Sequence, residues 1–164
     1  MQARHFDEAG AFGRTLKPDL ILEGKIEKHL LQPGDILFAV KGYNNFAVQY
    51  QSHMAKAVAS SVFIVIRIKD ARVINPDYLQ WYLNHPQTKA WCRRQSRGTD
   101  LPSLTQESLE NLELTIPSLQ RQRSVVEMNA LMKKAQGLQR RIDSLRDERN
   151  QQLLLQAINS ASQP

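Results

Sequence analysis

The chain is poor in cysteine and in long apolar runs. It contains one cysteine in 164 residues, so no internal disulfide can form and a reducing, cytoplasmic setting is expected. No apolar run approaches the ~20 residues that a membrane helix needs. The first ten residues, MQARHFDEAG, also lack the apolar stretch of a secretory signal. We therefore expect a cytoplasmic protein without a membrane-embedded part.

Recognisable catalytic and metal-binding patterns are also missing. The chain has no G-x-S-x-G elbow, no P-loop and no dinucleotide-binding fingerprint. Together with a single cysteine, the scattered histidines match no zinc-binding spacing: His5, His29, His53 and His85. The sequence thus predicts no catalytic residue and no metal site, and argues against an enzyme.

One short motif has a possible catalytic reading. Asn75-Pro76-Asp77-Tyr78 resembles the Asn-Pro-Pro-Tyr loop with which adenine methyltransferases grip their target base. The second proline is absent, however, and no glycine-rich loop for S-adenosylmethionine precedes the motif. Asn75 as a helix N-cap, with Pro76 at the first helical position, is the favoured interpretation.

The first 117 residues show the mixed pattern of an α+β domain with a small, mostly β core. The segment up to Lys28 predicts irregular structure with one or two short strands and no obvious first core element. Pro33-Gly34 then marks a turn. It is followed by an apolar run, Ile36 to Val40, which predicts a strand buried on both faces. Two further strands are predicted at Phe46–Tyr50 and Val62–Ile68.

Short helices and a last strand are predicted after these strands. A helix from Asp77 to His85 is interrupted by Pro86, and a second helix runs from Thr88 to about Gln95. Three further expectations concern the end of the domain. They are a capping box at Ser103–Gln106, a short helix ending near Asn111, and an alternating strand at Leu112–Ile116 that halts at Pro117.

The C-terminal third predicts one long helix, from Leu119 to about Ile158. It holds no proline and one glycine, and its apolar residues alternate in steps of three and four, as in a coiled coil. This seam predicts a helical interface through Met128, Leu131, Ala135, Leu138, Ile142 and Leu145. Beyond Leu145 the apolar residues shift to Leu153, Leu154, Leu155 and Ile158, which predicts a broader surface for a second partner. A helix folded back along its own domain is the alternative.

The balance of charge favours a polyanionic partner. The formal net charge is +6, and two local groups suit DNA. One is the loop after the first buried strand, with side chains that could contact bases or phosphates: Lys41, Tyr43, Asn44 and Asn45. A polar surface loop explains it equally well.

The second group is a basic cluster in a stretch without acidic residues. If the helix persists to Arg97, then Lys89, Arg93 and Arg97 share one face and suit phosphate contacts. The full set of this cluster is Lys89, Arg93, Arg94, Arg97 and Thr99. A solvated helix face is the alternative. Trp81 and Trp91 are expected to be core residues rather than stacking platforms.

Five segments in order resemble one family. They are Leu31–Phe38, Ala59–Arg67, Asn75–Leu83, Arg97–Thr99 and Leu114–Val126. The resemblance is to the specificity subunits of type I restriction–modification systems. It implies a DNA target recognition domain at 1–117, a spacer and dimerisation helix at 118–160, and a frayed tail at 161–164. It also implies a recognition domain shortened at the N-terminus, ahead of Gln2.

The resemblance carries expectations about partners. Members of the family usually carry two recognition halves, and this chain carries one. It is therefore expected to pair with a copy of itself and to read a palindromic, bipartite site on double-stranded DNA. The chain would hold no cofactor. It would direct an adenine methyltransferase subunit, which binds the S-adenosylmethionine, and in some systems a translocating nuclease subunit. Two alternatives stay open: a stand-alone dimeric DNA-binding regulator, and a truncated adaptor that pairs with a full-length specificity subunit without binding DNA.

Overall fold

The computed structural model describes residues 1–2, 5–6, 27–54, 56–97 and 101–160. Two compact units are present, Met1–Arg123 and Ser124–Pro164. After a short 3-10 turn at Glu27–His29, the described elements run in this order: β1 (Ile36–Ala39), β2 (Ala47–Gln49), β3 (Phe63–Ile66), α1 (Pro76–Asn84), α2 (Pro86–Gln95), α3 (Gln106–Glu110) and α4 (Leu119–Ser160). The predicted α+β class is confirmed. The proposed domain boundary between residues 117 and 118 stays a prediction.

The sheet has three antiparallel strands in the order β2-β1-β3. The turn into β1 is closed by a 2.9 Å hydrogen bond from the Asp35 N–H to the Gln32 carbonyl. Gly34 lies at φ 95° in this turn, a conformation that a side chain would strain. All three strands lie where the sequence predicts them, although each is shorter than its apolar run.

β1 is buried on both faces because its neighbours cover both sides of the sheet. Leu37 and Ala39 belong to one apolar cluster, which also holds Phe6, Phe46 and Phe63. Ile36 and Phe38 belong to the other cluster, which is completed by residues of α1 and α2 such as Leu79, Leu83 and Cys92. The central strand is thus the hydrophobic core of the unit, as its continuous apolar run predicts.

The N-terminus contributes to this core in a way that the sequence did not indicate. The ring of Phe6 lies 5.7 Å from the rings of both Phe46 and Phe63. The Met1 amino group donates to the Val58 carbonyl, and the Met1 carbonyl accepts from the Ser60 N–H. The short strands predicted before Lys28, and the predicted frayed tail at 161–164, lie outside the described residues.

α1 begins as predicted, and α2 begins earlier. The Asn75 side chain accepts a 2.8 Å hydrogen bond from the Asp77 N–H, and Pro76 is the first helical residue. Pro86 does not merely separate the two helices, because it is itself the first residue of α2. His85 caps α2, its Nδ1 accepting from the Gln87 N–H. A proline at the first turn is harmless because its missing N–H has no helical partner there.

The outer edge of β2 is closed by one side chain of α1. The Asn84 amide donates to the Ala47 carbonyl at 2.7 Å and accepts from the Ala47 N–H at 3.1 Å. It therefore occupies both backbone groups that a further strand would use. This pair fixes α1 to the sheet.

Two predictions for the end of the unit are wrong. Residues 112–118 form no strand; their backbone is held instead by the hydroxyls of Tyr78 and Tyr82, which donate to the carbonyls of Thr115 and Glu113. The predicted capping box is displaced as well. Thr105, not Ser103, is the N-cap of α3, and its hydroxyl accepts from the Ser108 N–H at 3.0 Å.

α4 is a continuous helix of 42 residues, about 60 Å long at the usual rise per residue. It starts within the first unit and makes up the described part of the second. Among the described residues, none of the helices combines the length and the apolar character that a membrane span requires.

Candidate nucleic-acid interface

Two predicted DNA-binding groups meet at Ser103. The Lys41 loop pairs with the segment that contains Ser103, and the Gly42 N–H donates to the Pro102 carbonyl at 2.8 Å. On its other side Ser103 exchanges two hydrogen bonds with Arg97, of 3.0 and 2.9 Å. We call this arrangement the Ser103 bridge. It holds the Lys41 loop and Arg97 on the two sides of the Ser103 segment through backbone hydrogen bonds.

The Lys41 loop is shaped by a glycine. Gly42 adopts φ 101°, which lets the chain turn away from the strand at no steric cost. The loop then exposes Lys41, Asn44 and especially Tyr43, which is 71% exposed. These are side chains with a cation, an amide and an aromatic ring, all placed next to the rigid central strand.

Asn45 differs from its neighbours in this loop. It is only 5% exposed, and its amide donates to the Ala39 carbonyl at 3.0 Å. The side chain therefore supports the loop from beneath and is not offered to a ligand. The expectation that Asn45 contacts DNA does not fit this placement.

Arg97 does not lie on the helical face on which the sequence places it. α2 ends at Gln95, and Ser96 caps its C-terminus with its hydroxyl donating to the Cys92 carbonyl at 2.9 Å. Arg97 follows in extended backbone and is exposed. Its side chain is positioned by the Ser103 bridge instead. Thr99 lies outside the described residues.

Lys89 and Arg93 form a basic pair one turn apart on α2. Burial, together with the charge of Arg93, lowers the pKa of the Lys89 ammonium. Like charges at this spacing repel each other. Within the described ranges neither side chain has an acidic partner. A phosphate between them would relieve the repulsion.

Arg94 lies apart from that pair. It lines a groove with Trp81 and Trp91, together with Gln87 and Thr88 of the same helix. The predicted basic cluster is therefore divided among three places: the Lys89–Arg93 pair, the Arg94 groove and the Ser103 bridge. The two tryptophans, expected in the core, are half-buried at the groove.

The predicted helical interface lies in the second unit. Met128, Leu131, Leu138, Ile142 and Leu145 are 43–68% exposed, and Ala135 is exposed too. A stripe of apolar side chains at heptad spacing is thus open along the helix in the single chain.

No pattern in the sequence indicates the residues that assemble this surface. Pro102 and Ser103 contribute backbone groups to these hydrogen bonds. The types of their side chains therefore do not indicate that they link the Lys41 loop to Arg97. Within the described ranges, no three side chains of histidine, cysteine, aspartate or glutamate converge as metal ligands.

A family model of the type I restriction modification DNA specificity domain matches residues 17–136. The chain belongs to this family. The match covers the three strands, the three short helices and the first turns of α4. A search of the curated proteins found no match to this chain. The family's specificity domain recognises DNA. The exposed cations of this domain are therefore candidates for contact with DNA.

Proposed function

We propose that this chain is a non-catalytic specificity subunit that reads DNA and directs a separate adenine methyltransferase subunit to its target. The observation that carries the proposal is the Ser103 bridge, which links the Lys41 loop to Arg97 and so brings exposed side chains that suit DNA to one place on a domain of this family. S-adenosylmethionine would bind to the methyltransferase subunit. In systems that restrict DNA, a translocating nuclease subunit would join the complex.

The two loops of the bridge would divide recognition between them. Arg97 has the bidentate guanidinium that suits guanine or phosphate, and Lys41 supplies a second cation. Tyr43 and Asn44 project from the same loop as Lys41, where an amide can bond a base edge and a ring can pack on sugar. Within the described part of the chain, neither Lys41 nor Arg97 forms an ion pair that would compete with DNA.

The Lys89–Arg93 pair would add phosphate contacts. Such contacts supply affinity without sequence information, and they make binding depend on salt. Binding of a phosphate would also offset the repulsion between the two cations. Arg94 is not assigned to this surface, because it lines the groove.

The α4 seam would pair two copies of the chain. Five large apolar side chains at heptad spacing are exposed in the single chain, and a partner helix with the same pattern would cover them. Two single recognition domains would then read a palindromic, bipartite site. The apolar residues near the end of α4 would contact the methyltransferase subunit.

Fluorescence anisotropy with a labelled duplex of mixed sequence tests DNA binding at the bridge. We expect the Lys41→Ala/Arg97→Ala variant to bind more weakly, and its plot of log affinity against log salt to flatten by roughly one for each lost phosphate contact. The Lys133→Ala/Arg140→Ala variant removes the same charge from α4 and serves as the control. Equal behaviour of the two variants would contradict the assignment. A wild-type chain that bound no duplex would favour the adaptor alternative.

A further inference from the structure

The first unit carries a groove that the proposed DNA surface does not use. Its volume is about 650 Å³, and its walls come from α1, α2 and the segment after α3. The side chains that matter for its chemistry are Trp81, Tyr82, His85, Trp91, Arg94 and Glu113. Sites for small ligands fall in this size range and combine aromatic walls with a few polar groups.

The two tryptophans that line the groove differ in their aromatic neighbours. The ring of Trp81 has three aromatic neighbours, Tyr78 at 5.5 Å, Tyr82 at 6.3 Å and His85 at 5.4 Å between centroids. Trp91 has no such ring neighbour among the described residues, and it is half-buried. Trp91 packs in part against the apolar core and in part lines the groove. A planar ligand could therefore pack on both indole rings, one of which is held by aromatic neighbours.

Several polar groups that line the groove form no hydrogen bond or ion pair with other described residues. Neither indole N–H donates a hydrogen bond there, and the Arg94 guanidinium has no acidic partner. His85 uses Nδ1 to accept from the Gln87 N–H, so the neutral ring keeps Nε2–H as a donor. The Glu113 side chain supplies an acceptor. The groove thus offers donors, an acceptor and one permanent cation.

This set of groups matches a nucleobase that carries one phosphate. Stacking suits any base, Glu113 can accept from ring or exocyclic N–H groups, and a guanidinium binds phosphate with two parallel hydrogen bonds. A continuous DNA backbone fits less well, because the Glu113 carboxylate would repel successive phosphates. A purely apolar ligand would leave Arg94 and Glu113 without partners.

We propose that this groove binds a single unpaired nucleotide, with its base packed on the tryptophan rings that line the groove and its phosphate on Arg94. The inference rests on the proposed function only for the source of that nucleotide, which would be an unpaired position in the bound DNA. A free nucleotide offers the same chemistry, and the experiment separates the two sources.

The intrinsic fluorescence of the full chain tests the proposal, because both of its tryptophans line the groove. The probes are the four deoxynucleoside monophosphates, with deoxyribose 5-phosphate as the control that lacks a base and N-acetyltryptophanamide as the control for light absorption. We expect saturable quenching by at least one nucleotide and none by the sugar phosphate. Arg94→Ala should weaken nucleotide binding about tenfold or more.

Arg121→Ala is the matched control, because Arg121 is an exposed arginine of the first unit that neither lines the groove nor belongs to the proposed DNA surface. It should bind nucleotides as the wild-type chain does. Circular dichroism verifies that both variants are folded. The absence of saturable quenching, or equal affinities of the Arg94 and Arg121 variants, would overturn the proposal.

A second arm uses two duplexes that differ by one bulged nucleotide. Tighter binding of the bulged duplex, lost in Arg94→Ala, identifies DNA as the source. Equal binding of both duplexes, together with quenching by mononucleotides, assigns the groove to free nucleotides. If the chain binds neither duplex but still binds mononucleotides, the proposed function fails while the groove assignment stands.

Discussion

The side-chain oxygen of Gln122 accepts a 2.8 Å hydrogen bond from the backbone N–H of Asn75. The amide nitrogen of Gln122 donates to the carbonyls of Val73 and Pro117, at 2.9 and 2.8 Å. Gln122 is completely buried, so its own amide group is shielded from water in all three bonds. One side chain therefore fastens the first turns of α4 to the loop before α1. Asn75 completes the link, because its own side chain caps α1.

Replacement of Gln122 by alanine should destabilise the first unit. The change leaves one N–H and two carbonyls without partners in a buried place, which should cost about 3 kcal/mol in the free energy of unfolding. Urea denaturation followed by circular dichroism measures it. Gln151→Ala, at an exposed position of the same helix, is the matched control and should change little. A loss no greater than that of the control would refute the role of Gln122.

The Asp35–Arg67 pair should make stability depend on pH. Arg67 Nε and its terminal nitrogen each lie 2.7 Å from a carboxylate oxygen of Asp35, which is buried and also accepts from the Gln32 N–H. Burial by itself would raise the pKa of Asp35. The hydrogen bonds from Arg67 and Gln32, with the charge of Arg67, outweigh it and hold the pKa below its ordinary value.

Because the folded pKa is lowered, this stabilisation is present above the ordinary pKa of about 4 and is lost as the pH falls through the folded value. We expect Asp35→Asn to lower the free energy of unfolding at pH 7 by about 1–3 kcal/mol. The variant should also show a flatter decline in stability towards acid. Asp70→Asn, which breaks the exposed Asp70–Arg72 pair, is the control. Parallel pH profiles of Asp35→Asn and wild type would contradict the prediction.

Charged residues in the α4 seam should give a folded monomer. Leu138→Glu together with Ile142→Glu places two carboxylates in the proposed contact between helices, where burial without partners is costly. Light scattering coupled to gel filtration reports the mass, and circular dichroism reports the fold. Lys133→Glu with Arg140→Glu puts the same residues on the side of the helix away from the seam. Unchanged oligomers of the seam variant would rule out this interface.

The strands and the start of α1 follow from local signals. The continuous apolar run at Ile36–Ala39 and the β-branched run around Phe63–Ile66 have few other ways to be buried. Asn75-Pro76 predicts a helix start because asparagine is a good N-cap and proline suits the first helical position. The structure confirms this start. The heptad positions of α4 are exposed in the single chain, and the helical interface that the pattern predicts for them stays a prediction.

The errors arise where a distant residue decides the outcome. Residues 112–116 alternate like a strand, but tyrosine hydroxyls bind two of their carbonyls, and none of the described strands pairs with them. Asn45 has the composition of a surface loop, yet the Ala39 carbonyl draws its amide inward. These contacts join positions that are separated in the sequence, by six residues for Asn45 and Ala39 and by 31 and 37 residues for the two tyrosines, so the local pattern does not reveal them.

The candidate site was predictable in its parts but not in its arrangement. The charges of Lys41 and Arg97, and their positions after a strand and after a helix, indicate that both are candidates for contact with DNA. Their connection depends on backbone hydrogen bonds of Ser103. Such bonds do not depend on the identity of a side chain, so the sequence pattern does not predict them. Arg93 and Arg94 point in different directions because they are adjacent residues of a helix. The groove that Arg94 lines depends on where α2 packs, which is a tertiary property.

The most direct test of the account is methylation of DNA by the adenine methyltransferase subunit from the same genome, with and without this chain. Methylated adenines are mapped across a whole genomic DNA by single-molecule sequencing. We predict methylation only when the chain is present, at one bipartite palindromic motif, and its loss with the Lys41→Ala/Arg97→Ala variant. Methylation of the same sites without the chain would contradict the proposed function. A motif that is not palindromic would contradict the pairing of two identical copies.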